Sequence, residues 1–192
     1  MEVKNRKRSK KKTSIAPWID KAFEEMSLGV KEDKNNLKTS STSPIKYLNY
    51  EGVPQGMRST KESTPWCAAF VNYVLEESGY VGEEANPLAV ENWNGTWRTW
   101  KNGIKINGPS YGALVTFGDN HIGFVVGITE DEKELLVLGG NQNDEVNVSQ
   151  YQIKSNFKYF LPKEYEPGNL ESDYNFLKGS YQGVIKKGSR II

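Results

Sequence analysis

The chain has 192 residues but only one cysteine, Cys67, and only one histidine, His121. A single cysteine excludes an intramolecular disulfide, so an apolar core must stabilise the fold. A zinc site made of Cys and His side chains needs more of these ligands than the chain has. We therefore expect no metal site, and nothing in the sequence indicates a cofactor.

Long apolar runs are also missing. No stretch reaches the length that a transmembrane helix needs. No apolar segment follows the charged N-terminus, as one would in a conventional signal peptide. We therefore expect no transmembrane segment and synthesis in the cytoplasm. Any action outside the cytoplasm would then require injection, cell lysis or non-standard secretion.

Charge is unevenly distributed. Residues 1–14 contain seven Lys and Arg residues against one Glu, whereas the remainder has 18 basic and 23 acidic residues. A basic arm can bind nucleic acid or an anionic surface. Blocks of like charge are more often solvated, disordered tails. We predict such a tail over 1–14 and do not expect nucleic acid as a partner.

The first half of the chain has helical periodicity. Apolar residues recur at helical spacing over 17–26, 44–50 and 65–79. In the last of these segments, Thr64 suits the N-cap, Pro65 the first helical position and Gly79 the end. Residues 80–110 predict irregular structure with one short helical piece.

From residue 111 the pattern changes to short strands. Apolar or alternating runs separated by turn residues cover 113–117, 121–129, 134–138, 145–148 and 157–161. Helices followed by a series of strands predict an α+β fold with an antiparallel sheet. We expect one domain over 15–162, with a C-terminal extension of unknown role over 163–192, and a monomer.

Cys67 and His121 occupy positions that suit a thiol hydrolase. At a helix start, free N–H groups and the helix dipole favour the thiolate and could bind an oxyanion. His121 opens a predicted strand and could serve as the base and then as the acid for the leaving amine. If 121–129 and 134–140 form a hairpin, the residues after the second strand return to His121. Asn141 is our prediction for the group that orients the imidazole, with Gln142 and Asp144 as alternatives.

Each of these residues also has a purely structural interpretation. A lone cysteine among Ala, Phe and Val is usually a small buried apolar residue. A lone histidine at a strand start is usually structural, and the Asn and Gly residues of 139–144 are ordinary turn formers. The residues alone therefore indicate a possible thiol hydrolase and no substrate.

Four segments in order resemble the NlpC/P60 and CHAP superfamily of cell-wall hydrolases, especially a small branch with PWCAAFVN and LGGNQ motifs. They are TPWCAAFVN at 64–72, YGALVTF at 111–117, HIGFVVG at 121–127 and VLGGNQ at 137–142. The resemblance covers about residues 15 to 162. The chain departs from it at Gly112-Ala113, where the family usually has Gly-Asp.

The resemblance implies a papain-like fold whose catalytic cysteine begins a helix packed on an antiparallel sheet. It implies Cys67 as the nucleophile, His121 as the base and Asn141 as the orienting residue. The substrate it implies is an amide bond in peptidoglycan, cleaved by a stem-peptide endopeptidase or an N-acetylmuramoyl-L-alanine amidase. Such an enzyme could be a lysin or an injected antibacterial toxin, and a toxin would have an immunity protein as a partner.

Four further residues are candidates for substrate contact. Trp66 neighbours the nucleophile, and Gln142 follows the predicted strand and returns close to His121. Trp93 and Tyr111 could line a groove, although tryptophans in such segments are more often core or capping residues. Two functions of other kinds stay open. They are a Cys-dependent amidase or acyltransferase acting on protein, and a non-catalytic wall-binding or protein-binding module.

Overall fold

The computed structural model describes residues 16–33, 41–90 and 95–165. The predicted tail at 1–14, Trp93 and nearly all of the extension at 163–192 lie outside the described residues. Within them, no helix is long and apolar enough to cross a membrane.

Three α-helices precede the sheet in the described part of the chain. They are α1, Trp18–Ser27, α2, Ile45–Leu48, and α3, Cys67–Glu77; 3-10 turns lie at Gln55–Met57 and Trp97–Thr99. Their positions confirm the predicted helices. The predicted start of the third helix is wrong by two residues, because Trp66 is the N-cap and Cys67 the first helical residue. Thr64 does not cap the helix, since its hydroxyl lies 2.8 Å from that of Ser59.

Six strands form one antiparallel sheet. They are β1, Gly103–Ile106, β2, Leu114–Phe117, β3, His121–Ile128, β4, Glu134–Gln142, β5, Glu145–Gln152, and β6, Lys158–Pro162, in the spatial order β1-β6-β2-β3-β4-β5. The α+β class is therefore confirmed. β1 was not predicted because it is a four-residue edge strand whose apolar residues are not buried, with Ile104 exposed. The prediction also ended β4 and β5 too early.

Pairing of β3 with β4 brings the end of β4 back to His121. Phe124 pairs with Leu138 in this antiparallel ladder, so the first residues of β3 lie beside Gly139 and Gly140. Beyond Gly139 the register of β4 against β5 shifts, and Asn141 has a φ of 57°. Such a bulge turns the strand and redirects the side chains that follow it. The predicted hairpin is thus confirmed.

Helix α3 packs on β3 and β4, with its first turn directly over Gly140. A Cβ at position 140 would lie 2.6 Å from Trp66 Cζ3 and 2.7 Å from Phe70 Cβ. Real Cβ atoms do not approach this closely, so the contact requires glycine. Trp66 and Phe70 lie at the two ends of the first turn of α3. Because both contact Gly140, Cys67 between them lies near the end of β4.

Substitution of Gly140 by alanine tests this placement. We expect Gly140→Ala to lower the free energy of unfolding by about 1–3 kcal/mol, because the added methyl overpacks the start of α3. Urea unfolding followed by tryptophan fluorescence measures the loss. Gly108→Ala is the matched control, since a Cβ at Gly108 would meet nothing within 4 Å. Equal stabilities of the two variants would contradict the close approach.

Candidate active site

Cys67 begins α3 and is buried, with 5% of its surface exposed. The first turn of a helix directs backbone N–H groups and the positive end of the helix dipole towards its N-terminus. Both features stabilise a thiolate and an oxyanion. The local geometry therefore agrees with the predicted environment of this thiol.

His121 begins β3 and is largely enclosed by two aromatic rings. Its imidazole stacks on Phe117, with ring centroids 5.5 Å apart, and lies 6.0 Å from the ring of Tyr151. Burial lowers the pKa of His121 below its usual value of 6.5, and a hydrogen bond with Gln142 opposes this shift. The neutral imidazole, which can accept a proton, is thus the favoured form at neutral pH.

Gln142 is the polar partner of His121. Its Oε1 lies 3.3 Å from His121 Nε2. Its Nε2 is directed at four oxygens, the carbonyls of Val137, Gly139 and Asn147 and the Asn147 side-chain oxygen, at 2.7 to 3.4 Å. Only an NH₂ group can satisfy this set of acceptors, so the amide orientation is determined by its surroundings.

The tautomer of His121 follows from this orientation. Since Gln142 Oε1 can only accept, His121 Nε2 must carry the proton and donate it. Nδ1 is then the nitrogen that can accept a proton from a thiol or a water. This is the arrangement that a cysteine hydrolase requires of its base.

Tyr151 lies near both this pair and Cys67. Its hydroxyl donates to Gln142 Oε1 at 2.9 Å, so it shares this oxygen with His121. The pKa of Tyr151 is raised to about 12, first by burial and second by the coulombic effect of Cys67. Cys67 is therefore close enough to act on Tyr151 electrostatically. We call Cys67, His121, Gln142 and Tyr151 the Cys–His cluster.

The structure corrects the predicted orienting residue. Asn141 lies in the bulge with its backbone in the left-handed region, and the bond to His121 comes from Gln142. The bulge is the cause, because it lets the Gln142 side chain fold back over Gly139, where a Cβ would lie 3.1 Å from it. The backbone carbonyl of Asp144 accepts a hydrogen bond from Glu32 N at 2.7 Å, and the side-chain bond to His121 in the described residues comes from Gln142.

The predicted substrate contacts at Trp66 and Gln142 are also corrected. Trp66 is fully buried, stacks on Tyr47 at 5.8 Å and donates Nε1–H to Glu32 at 2.9 Å. It therefore anchors the start of α3 and does not border a cleft. Gln142 is 4% exposed, with both ends of its amide hydrogen-bonded inside the protein.

Tyr111 lies far from His121. The neighbouring Gly112 pairs with Val125, four residues along β3 from His121, which corresponds to roughly 13 Å of strand. Burial, and then the charge of Asp20, raises the pKa of Tyr111 to about 12. Trp97 and Trp100 are buried and donate to backbone carbonyls. Trp93 lies outside the described residues.

Tyr151 is the member of the cluster that sequence analysis missed. The prediction ended β5 at residue 148, whereas β5 extends to Gln152. In a strand of that length, Asn147, Ser149 and Tyr151 fall on one face by simple alternation. This alternation could have predicted Tyr151, but the predicted strand ended at residue 148.

A surface cleft adjoins the cluster. It has a volume of about 380 Å³ and is lined by Phe117 and Tyr151 together with Gln150, Gln152, Lys154, Asn156 and Phe157. The same two rings that enclose His121 thus form part of the cleft wall. Among the described residues, no group of three or more His, Cys, Asp or Glu side chains could hold a metal ion.

Comparison of the chain with protein-family models, with curated proteins and with solved structures finds no match. The case for a function therefore depends on the geometry of the Cys–His cluster and on the motifs that form it.

The lowered pKa of His121 has a measurable consequence. Between that pKa and 6.5 the imidazole stays neutral, so any activity that uses His121 as a base should keep its pH 6.5 value and fall only at lower pH. The same shift makes the folded state less stable as the pH falls below 6.5, so fluorescence must show that the protein is folded at each pH. NMR titration of this single histidine gives the pKa directly. A midpoint at or above 6.5 would contradict the burial.

Proposed function

We propose that this protein is a papain-like cysteine hydrolase of the NlpC/P60–CHAP type that cleaves an amide bond in peptidoglycan. One observation carries the proposal. The bond from His121 Nε2 to Gln142 Oε1 leaves Nδ1 free for proton transfer, in a cluster that also contains a helix-start cysteine.

The reaction would proceed in two steps. His121 Nδ1 takes the thiol proton, and the thiolate of Cys67 attacks the amide carbon, with N–H groups at the start of α3 stabilising the oxyanion. The C–N bond breaks as the imidazolium gives its proton to the departing amine. Nδ1 then removes a proton from water, which attacks the thioester. The products are an amine, a carboxylic acid and the regenerated thiol.

The choice of peptidoglycan depends on the resemblance of the motifs at 64–72, 111–117, 121–127 and 137–142. Within peptidoglycan, the scissile bond is a stem-peptide bond or the bond between muramic acid and L-alanine. We place the action at the cell wall or in the periplasm, after injection, lysis or non-standard secretion. An immunity protein would accompany a toxin.

Digestion of purified peptidoglycan tests the proposal. Wild-type protein and Cys67→Ala are incubated with peptidoglycan sacculi, and soluble muropeptides are analysed by mass spectrometry. New fragments from wild type alone are the expected result, and their masses identify the bond. Equal binding of both proteins to sacculi without any fragment would favour the non-catalytic module. Transfer of an acyl group to an added amine would favour the acyltransferase.

A further inference from the structure

Tyr151 is placed to act on the geometry of His121 through Gln142. Its hydroxyl lies 2.9 Å from Gln142 Oε1, and its ring lies 4.3 Å from Phe117, between centroids. Phe117 in turn stacks on His121. Tyr151 therefore touches both the acceptor of the imidazole and the ring on which the imidazole stacks.

The direction of the hydrogen bond between Tyr151 and Gln142 follows from the groups that form it. An amide carbonyl oxygen only accepts, so the Tyr151 hydroxyl must be protonated to bond to it. Its pKa of about 12 keeps it protonated at neutral pH. Gln142 Oε1 thus receives two donors, Tyr151 Oη–H and His121 Nε2–H. A flipped amide would present NH₂ to both donors, which would leave buried groups unsatisfied.

We propose that Tyr151 is a positioning residue that holds the Gln142 carbonyl in place and thereby maintains the Nε2–H tautomer of His121. This inference rests on the proposed function for its effect on turnover. Its effect on the tautomer does not depend on catalysis. Without the hydroxyl, the Gln142 amide is held only through its NH₂ group, so Oε1 can shift away from His121 Nε2 and the Nε2–H tautomer loses its acceptor.

Tyr151→Phe removes the hydroxyl and keeps the ring on Phe117. Tyr159→Phe is the matched control, because the Tyr159 hydroxyl is buried in β6 with no hydrogen-bond partner within the described residues. Nitrogen-15 NMR reads the tautomer without ambiguity, since His121 is the only histidine in the chain. Turnover is measured on muropeptides with kcat and KM determined separately.

We expect wild type and Tyr159→Phe to show the Nε2–H tautomer and Tyr151→Phe to show a mixture of both. We also expect Tyr151→Phe to lower kcat about 10-fold, as loss of a positioning group often does, with KM within about 2-fold. A tautomer ratio in Tyr151→Phe equal to that of Tyr159→Phe would overturn the inference. An Nδ1–H tautomer in wild type would also overturn the inference, whether or not Tyr151→Phe folds. Absence of turnover in wild type with the expected tautomers would refute the proposed function alone.

Discussion

Replacement of Cys67 by alanine is expected to lower the rate of peptidoglycan cleavage by at least about 1,000-fold. The chain has no second cysteine that could form the thioester. Cys67→Ser should fail nearly as completely, because a serine hydroxyl is far less acidic than a thiol and forms almost no nucleophilic anion with an imidazole as the base. The measurement is the initial rate of muropeptide release under saturating substrate.

A loss of rate in Cys67→Ala must be distinguished from a loss of folded protein. Cys67 is 5% exposed among apolar side chains, so removal of its sulfur leaves only a small cavity. We expect Cys67→Ala to lose no more than about 1–2 kcal/mol of unfolding free energy and to bind sacculi as wild type does. Cleavage retained by folded Cys67→Ala would exclude nucleophilic catalysis by this thiol.

Replacement of His121 by alanine is the second large effect that we expect, a loss of roughly 100- to 10,000-fold in kcat. It removes the only imidazole in the chain, which moves protons at both steps of the proposed reaction. Asn141→Ala is an informative control. Asn141 lies at the end of the same hairpin but does not bond to His121, so its rate should stay within about 3-fold of wild type.

The outcomes for His121 and Asn141 are read together. A large loss in both variants would return the orienting role to Asn141 and contradict the observed bond to Gln142. Retained turnover in His121→Ala would mean that no histidine is needed, and the proposed reaction would be excluded. Activity lost in His121→Ala alone is the result that the structure predicts.

Sequence periodicity was sufficient for most of the elements but not for their ends. The helix at Cys67–Glu77 and the β3–β4 hairpin follow from regular apolar spacing, which depends only on local geometry. The start of α3 was predicted wrongly because the Thr64 hydroxyl bonds to Ser59 and does not cap the helix. Residue spacing does not reveal this contact. β1 was missed because an edge strand need not bury either face.

For the site as well, local sequence predicted some residues, whereas others depended on contacts between distant parts of the chain. Cys67 and His121 could be selected because each is the only residue of its kind and each opens an element. The choice between Asn141 and Gln142 depended on a bulge, and a one-residue shift moves side chains to the opposite face. The burial of Trp66 depended on contacts with Tyr47 and Glu32, which are far away in sequence.

The Cys–His cluster draws its members from α3, β3, β4 and β5, and this origin has a consequence for how activity arises. Positions 67, 121, 142 and 151 meet only after the helix has docked and both hairpins have closed. A chain that is still folding therefore contains the cysteine and the histidine but not the assembled cluster. The proposed activity would therefore arise only after α3 has docked and β5 has paired with β4.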